Sequence, residues 1–319
     1  MLREVLWVVS DSFEFQEEEI NPDFVIFGPY QPPPPAGRYV RIGYFCENSR
    51  PKVETCDWAF GIPYEEEVRN DKYRRIEWHG VKPQDLVKDI PAALPRPIPP
   101  RFCNFVFSNR VAFRESFFRA LCQYKHVDAP GRSMKNHSSL DSEPGDESRW
   151  VRKRRFLSQY KFTIAFESDS KSGYNTEKLT DPMLAGSVPI YFGNPEIGRH
   201  FNAGSFINVH DYVASRRHFV TRWVERLAQE EPGGTRRFAP RVGRRFRQAM
   251  RGLKLRLEYG RDFRRLVARI REVDQDDALY RAIQAEPWVP GNVPPSVERV
   301  RQRWIDIFRS ECRPHAVAR

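Results

Sequence analysis

Residues 172 to 195 read SGYNTEKLTDPMLAGSVPIYFGNP, and an aromatic hydroxyl, a carboxylate and an ammonium (Tyr174, Glu177 and Lys178) fall within five residues of that stretch. Thr176 is a good N-cap residue, so Glu177 and Lys178 are expected to open a helix running from about Thr176 to Ala185. A helix start concentrates partial positive charge and unpaired N–H groups, which favours phosphate. An ammonium at that point adds to the attraction, and a carboxylate beside it can accept hydrogen bonds from both hydroxyls of a ribose. Arg114 opens a second helix, after the apolar run at 102–108. Two cations at two helix starts make a seat for a nucleoside diphosphate, although no G-x-G-x-x-G or Walker sequence is present. The same residues also fit a capped, solvated helix start and a helix-surface arginine. Residue types alone leave both readings open.

The flanking elements say what would position such a site. From 102 onwards, FCNFVFS (102–108), KFTIAFE (161–167), VPIYF (188–192) and SFINV (205–209) read as strands, with helical AFRESFFRALCQY (112–124) between the first two. Strands alternating with helices predict βαβ units and a parallel sheet covered on both faces. Ligands in such sheets sit beyond the carboxyl ends of the strands. The first ninety residues carry shorter strand-like runs at 6–9, 23–28, 38–45 and 58–62, and acidic Glu14–Glu19 is expected to open a short surface helix. A proline-rich stretch at 89–100 reads as a stiff linker. Beyond Ser215 the chain is helical in character. Phe246, Met250, Leu253 and Leu257 recur at helical spacing, as do Phe263, Leu266, Val267 and Ile270, and 295–312 forms a closing amphipathic helix.

Composition narrows the class. A chain of 319 residues, 40% hydrophobic, can build a real core. No apolar run approaches the ~18 residues of a membrane span, and Leu6–Val9 is too short for a signal-peptide core. The expectation is therefore a cytoplasmic protein, peripheral to a membrane at most. Five scattered cysteines without a CxxC pair suit a reducing compartment. Residues 236–271 hold fourteen Arg or Lys against two acids, a balance of +12, so against the whole chain's +11 the remainder sits near −1. Three roles suit that segment: an amphipathic insertion with its apolar stripe on the preceding α/β domain, an anionic-membrane contact, and, least favoured, nucleic-acid binding.

The wording of the central stretch carries more than its chemistry. YKFTIAFES followed by GYNTEKLTDPMLAGSVPIYFGNP resembles the donor-binding signature of the α-1,3/4-fucosyltransferases, inverting enzymes that use GDP-fucose. RFCNFVFSNRVAFRESFFRAL, FLSQYKF and SFINVHDY resemble neighbouring family segments, and IGYFCENSRP with CDWAFG resembles the amino-terminal block. The likeness runs in order over most of residues 23 to 212, and is greatest to soluble bacterial members. It implies an α/β, GT-B-like fold of two Rossmann-like domains facing a cleft, with a helical carboxy-terminal extension. On that basis the expected divisions are an acceptor-side domain at 1–95, a GDP-fucose-binding domain at 96–212, a helical Arg-rich insertion at 213–294 and a closing helix at 295–319.

The resemblance also assigns roles. Glu47 matches the general base, a role that calls for a partly dry setting. Arg114 and Lys178 match the diphosphate cations, Glu177 the ribose ligand and Tyr174 the phosphate-side wall. Ser108 and Asn109, at a strand end, offer donors to the nucleotide or form a simple turn; Glu167 faces the fucose. The only DxD triplet, Asp274-Gln-Asp276, reads as a solvated helix start, so no metal site or other cofactor is expected. Partners are GDP-fucose and a glycan acceptor that is free, lipid-linked or protein-linked. Ser168 and Asn175 depart from the family's usual Asn and β-branched residue. The rival reading is a non-catalytic glycan- or nucleic-acid-binding protein on the same scaffold.

Overall fold

The computed structural model describes residues 5–48, 50–76, 81–89, 97–140, 148–215, 224, 240–259 and 262–310. Two compact units emerge: Met1–Gln84 with Ser172–Tyr174 and Pro294–Arg319, and Asp85–Lys171 with Asn175–Val293. Most of the proline-rich stretch, residues 90–96, lies outside the described residues, as do 236–239 and 260–261 of the basic segment and Cys312.

The first unit is a four-stranded sheet of β1 (Phe24–Phe27), β2 (Val40–Phe45), β3 (Trp58–Gly61) and β4 (Tyr73–Arg75), in that spatial order and parallel throughout. A single turn of helix, α1 (Glu65–Val68), joins β3 to β4. The carboxy-terminal helix Glu298–Ser310 also belongs here and supplies much of the core. Its Trp304 stacks on Phe60 with ring centroids 4.1 Å apart, and Ile307 and Phe308 join Val9, Ile42 and Tyr44 in the same cluster.

Two expectations fail in this unit. In place of the strand expected at Leu6–Val9, the chain winds into a 3-10 turn at Trp7–Val9. Its buried Val8 and Val9 are absorbed by the cluster around Trp304 instead of a sheet edge. Glu14–Glu19 forms no helix. Six residues cannot repay helix nucleation, and Glu14 and Glu18 would repel at i,i+4. The Glu18 carboxylate instead accepts a 2.8 Å bond from the Ile20 N–H.

The second unit is a five-stranded sheet in the order β6-β5-β7-β8-β9, again all parallel. Its strands are β5 (Arg101–Asn104), β6 (Val127–Asp128), β7 (Tyr160–Phe166), β8 (Val188–Phe192) and β9 (Ile207–Asn208). The helices are α2 (Ala112–Cys122), α3 (Arg149–Leu157), α4 (Glu177–Ala185), α5 (Pro240–Tyr259), α6 (Arg264–Gln275) and α7 (Asp277–Ala285). β8 is buried at every position, and β7 at all but one, as an apolar strand covered on both faces should be. Phe113 and Phe117 of α2 pack on Phe166, and Phe263, Leu266 and Ile270 close the same core from the α6 side.

α6 buries the stripe that its periodicity predicted, but α5 does not. Phe246, Leu253 and Leu257 are 42%, 40% and 40% exposed, while Lys254, Leu255, Glu258 and Tyr259 form the buried face. The three polar members of that face have partners there: Lys254 meets Asp169 at 3.0 Å, Glu258 accepts from Ser215 and Tyr259 donates to Ser170. Paired polar groups decide which way this helix turns.

Because Trp304 is 1% exposed and stacks on Phe60, Trp304→Ala should cost about 3–5 kcal/mol of unfolding free energy. Urea titration followed by far-UV circular dichroism checks this, with the loss borne by the first unit's transition.

Candidate active site

β7 ends at Phe166, and the next residue, Glu167, is 1% exposed. Its Oε1 accepts from the Thr176 N–H at 2.9 Å and from the Thr176 hydroxyl at 2.7 Å. Its Oε2 lies 3.4 Å from Lys178 Nζ, and its backbone carbonyl accepts a 3.3 Å bond from Arg114 Nε. Arg114 reaches it from α2 and lies 4.3 Å over the Phe107 ring. The cations that open α2 and α4 thus converge on one residue at the carboxyl end of a central strand.

Thr176 caps α4 as expected, its hydroxyl accepting from the Lys178 N–H. Lys178 Nζ also donates to Thr176 Oγ1 at 3.0 Å and to Glu177 Oε1 at 3.2 Å. Burial raises the Glu177 carboxyl, but the charges of Lys178 and Lys153 outweigh it and leave the group below the usual carboxylate range. For Glu167 burial wins, and its carboxyl is pushed above its ordinary value despite Lys178. Two neighbouring carboxylates with opposite shifts share one lysine. Close packing fixes the floor of this group: a Cβ at Gly193 would fall 2.5 Å from both Glu167 Cγ and the Tyr191 hydroxyl, so only glycine fits.

The other predicted residues sit as follows. Tyr174 is buried, in the three-residue piece that counts with the first unit. There the Gly173 carbonyl accepts from Arg75 Nη2 at 3.1 Å. Gly173 has φ +76°, and a Cβ would meet the Ile62 carbonyl at 2.6 Å. Ser108 and Asn109 are exposed in a bend four residues beyond the end of β5, not at the strand end itself. The apolar run 105–107 turns away early because its rings pack on the core and on one another. Glu47 belongs to the first unit and is exposed, two residues past β2, rather than held in the partly dry setting expected of it. Asp274 also departs from expectation: it is buried, with Lys125 at 2.9 Å and Lys161 at 3.4 Å. Its neighbour Asp276 does cap a helix, accepting from the Ala278 and Leu279 N–H groups of α7. Among the described residues, no three His, Cys, Asp or Glu side chains gather where they could hold a metal ion.

Residue patterns did not foresee the groups behind the site. Asp181 of α4 is 1% exposed and takes Lys153 at 2.7 Å and Arg154 at 3.1 Å from α3. Asp169, two residues past Glu167, takes Lys254 of α5. One cue was present for the latter: Lys254 is the lone lysine among the basic residues of 236–271.

Comparison with known proteins bears on this same region. Residues 102–237 match the profile of glycosyltransferase family 10 (fucosyltransferase), carboxy-terminal part. An α-(1,3)-fucosyltransferase of Helicobacter pylori is 30% identical over 207 residues, which is 54% of this chain and 41% of that protein. The α-(1,3)-fucosyltransferase B of Drosophila melanogaster is 36% identical over 87 residues, covering 26% of this chain and 20% of the relative. The chain thus spans well under half the length of these curated relatives. A crystal structure of α1,3-fucosyltransferase with GDP superposes with a TM-score of 0.63 at 20% identity, over 98% of this chain and 85% of the other. Another, with GDP-fucose, gives 0.58 at 19%, over 95% and 81%. The expected α/β, GT-B-like fold class is therefore the one this chain shares with those structures.

A carboxyl whose folded pKa is raised binds its proton more tightly in the native state. Its contribution to stability is full below the unfolded value of about 4.5 and is lost as pH rises through the folded value. Glu167→Gln should therefore gain on wild type as pH rises through that window. Urea unfolding midpoints at half-unit pH steps test this; a pH-independent difference contradicts it.

Proposed function

We propose that this chain is an inverting fucosyltransferase that moves L-fucose from GDP-fucose to a hydroxyl of a glycan acceptor, forming an α-1,3 linkage. One observation carries the reading: Arg114 and Lys178 converge on Glu167 at the carboxyl end of β7, inside the stretch that matches family 10. In this reading the acceptor oxygen attacks the anomeric carbon as the β-linked GDP leaves from the opposite face, and the product is α-linked. The acceptor proton passes to Glu47. Charge grows on the departing diphosphate, and Arg114 and Lys178 stabilise it as fixed cations. Glu177 holds the ribose, with Tyr174 on the phosphate side. Glu167 orders α4 from below and faces the sugar, while Ser108 and Asn109 offer donors from the β5 loop. Two cations of this kind supply the charge that a divalent ion provides elsewhere, so the reaction is proposed to run without one. A reducing, cytoplasmic setting fits the scattered cysteines. N-acetyllactosamine, glucose-containing chains and lipid-linked oligosaccharides are all chemically admissible acceptors.

A second reading of the surface rests on α5. Its exposed Phe246, Leu253 and Leu257 lie on a helix whose sequence is rich in arginine, the pattern of a helix resting on an anionic bilayer. It suits a lipid-linked acceptor. Nucleic-acid binding is disfavoured, because no recognised nucleic-acid module surrounds the basic segment.

Both readings can be tested on the purified chain. Lys178→Ala should lower kcat/KM for GDP-fucose turnover by roughly 10²–10³-fold. Glu47→Gln should lower transfer to an acceptor by about 10²–10⁴-fold while GDP affinity holds; coupled detection of released GDP reports both. Tight RNA binding with a steep salt slope and no affinity for GDP would favour the non-catalytic alternative. For the surface, Leu253→Glu with Leu257→Glu should abolish co-sedimentation with phosphatidylserine vesicles, and wild type should ignore phosphatidylcholine vesicles.

A further inference from the structure

The α5 helix lies beyond the matched family stretch, which ends at 237, yet its inner face is tied to the loop that follows β7. Lys254 is 4% exposed and donates from Nζ to Asp169 Oδ1 at 3.0 Å and to the Ser170 carbonyl at 3.3 Å. One turn on, the Tyr259 hydroxyl donates to Ser170 Oγ at 2.8 Å. Asp169 and Ser170 are themselves 6% and 4% exposed. Glu167 stands two residues before Asp169 on the same short loop, and it carries the contacts to Thr176, Lys178 and Arg114.

We infer that Lys254 is a positioning residue of the donor site, in which α5 clamps the 167–171 loop so that Glu167 holds Lys178 and the α4 N-terminus in place for a nucleoside diphosphate. This rests on the donor-binding role proposed above. A buried carboxylate keeps its charge only beside a cation or enough donors. Without the Lys254 ammonium, Asp169 and the Ser170 carbonyl lose the donor they share. That loss loosens the loop at the point where it carries Glu167. Lysine also suits this position by its shape. A compact ammonium reaches two acceptors in a confined space, whereas a guanidinium brings five donors to satisfy. Arg256, which faces outward on the same helix, needs no such fit.

The experiment measures GDP affinity by calorimetry on the full chain, well below each variant's melting midpoint. It uses wild type, Lys254→Met, Lys254→Arg, Asp169→Asn and the double variant Lys254→Met with Asp169→Asn. Lys254→Met should weaken GDP binding roughly tenfold or more, with Lys254→Arg recovering part of the loss. The double variant should bind no worse than Lys254→Met alone, because both changes remove one shared interaction. A purely structural role predicts a lower melting midpoint with unchanged GDP affinity in the folded protein, and that result overturns the inference. Fully additive losses overturn it too. If Lys254→Met does not fold, Tyr259→Phe decides, since removing its bond to Ser170 should still weaken GDP a few-fold, and unchanged affinity refutes the clamp. Wild type without measurable GDP affinity refutes the donor-binding role itself and takes this inference with it.

Discussion

A carboxylate taken out of water must be met by donors and opposite charge, and the second unit is organised around one that is. Glu167, at the mouth of the central strand β7, would be costly to bury alone. Thr176 gives it two hydrogen bonds and Lys178 gives it charge. In meeting that demand, the chain positions the start of α4, fixes the lysine at its first turn and draws Arg114 in from α2 through the Glu167 carbonyl. Gly193 has no side chain because any carbon there would strike Glu167. The features proposed to take a nucleoside diphosphate are the features that satisfy a buried acid.

The same device recurs through the unit. Asp181 pairs with Lys153, Asp169 with Lys254, and Asp274 with Lys125 and Lys161. Each buried acid ties a helix to the sheet, to a strand-end loop or to another helix, and each is met by lysine. Such pairs add little net stability against apolar replacements, but losing one partner leaves a buried charge less well met. They therefore fix how helices α3 to α6 are seated more than how strongly the unit folds. The chain's basicity is thus of two kinds. The lysines named above serve inward pairs, as do Arg114 and Arg154, while other arginines such as Arg149, Arg256 and Arg265 face outward.

Much of the architecture was legible because burial leaves a simple imprint on parallel sheets. β7 is a mostly apolar run and β8 an unbroken one, and their limits were readable to within a residue. Thr176 as a cap and α6 as an amphipathic helix were equally plain. What was not legible had short or polar elements. β4, β6 and α1 are two to four residues long and carry too few side chains for any period to register. The apolar quartet of α5 pointed the wrong way, because hydrophobic spacing cannot see that Lys254, Glu258 and Tyr259 have partners waiting inside.

Local chemistry alone determined that Thr176 caps α4, that β7 and β8 are strands, and that cations stand at two crossovers, since those facts depend on neighbours within a turn or a pleat. It also determined the wording by which residues 102–237 match the fucosyltransferase profile. Only the tertiary structure decided that Arg114 and Lys178 meet at Glu167, that Asp274 is buried rather than solvated, and that α5 presents a lysine to Asp169 across 85 positions of sequence. The physical reason is that the need of a buried charge for a partner acts through space and leaves no period along the chain.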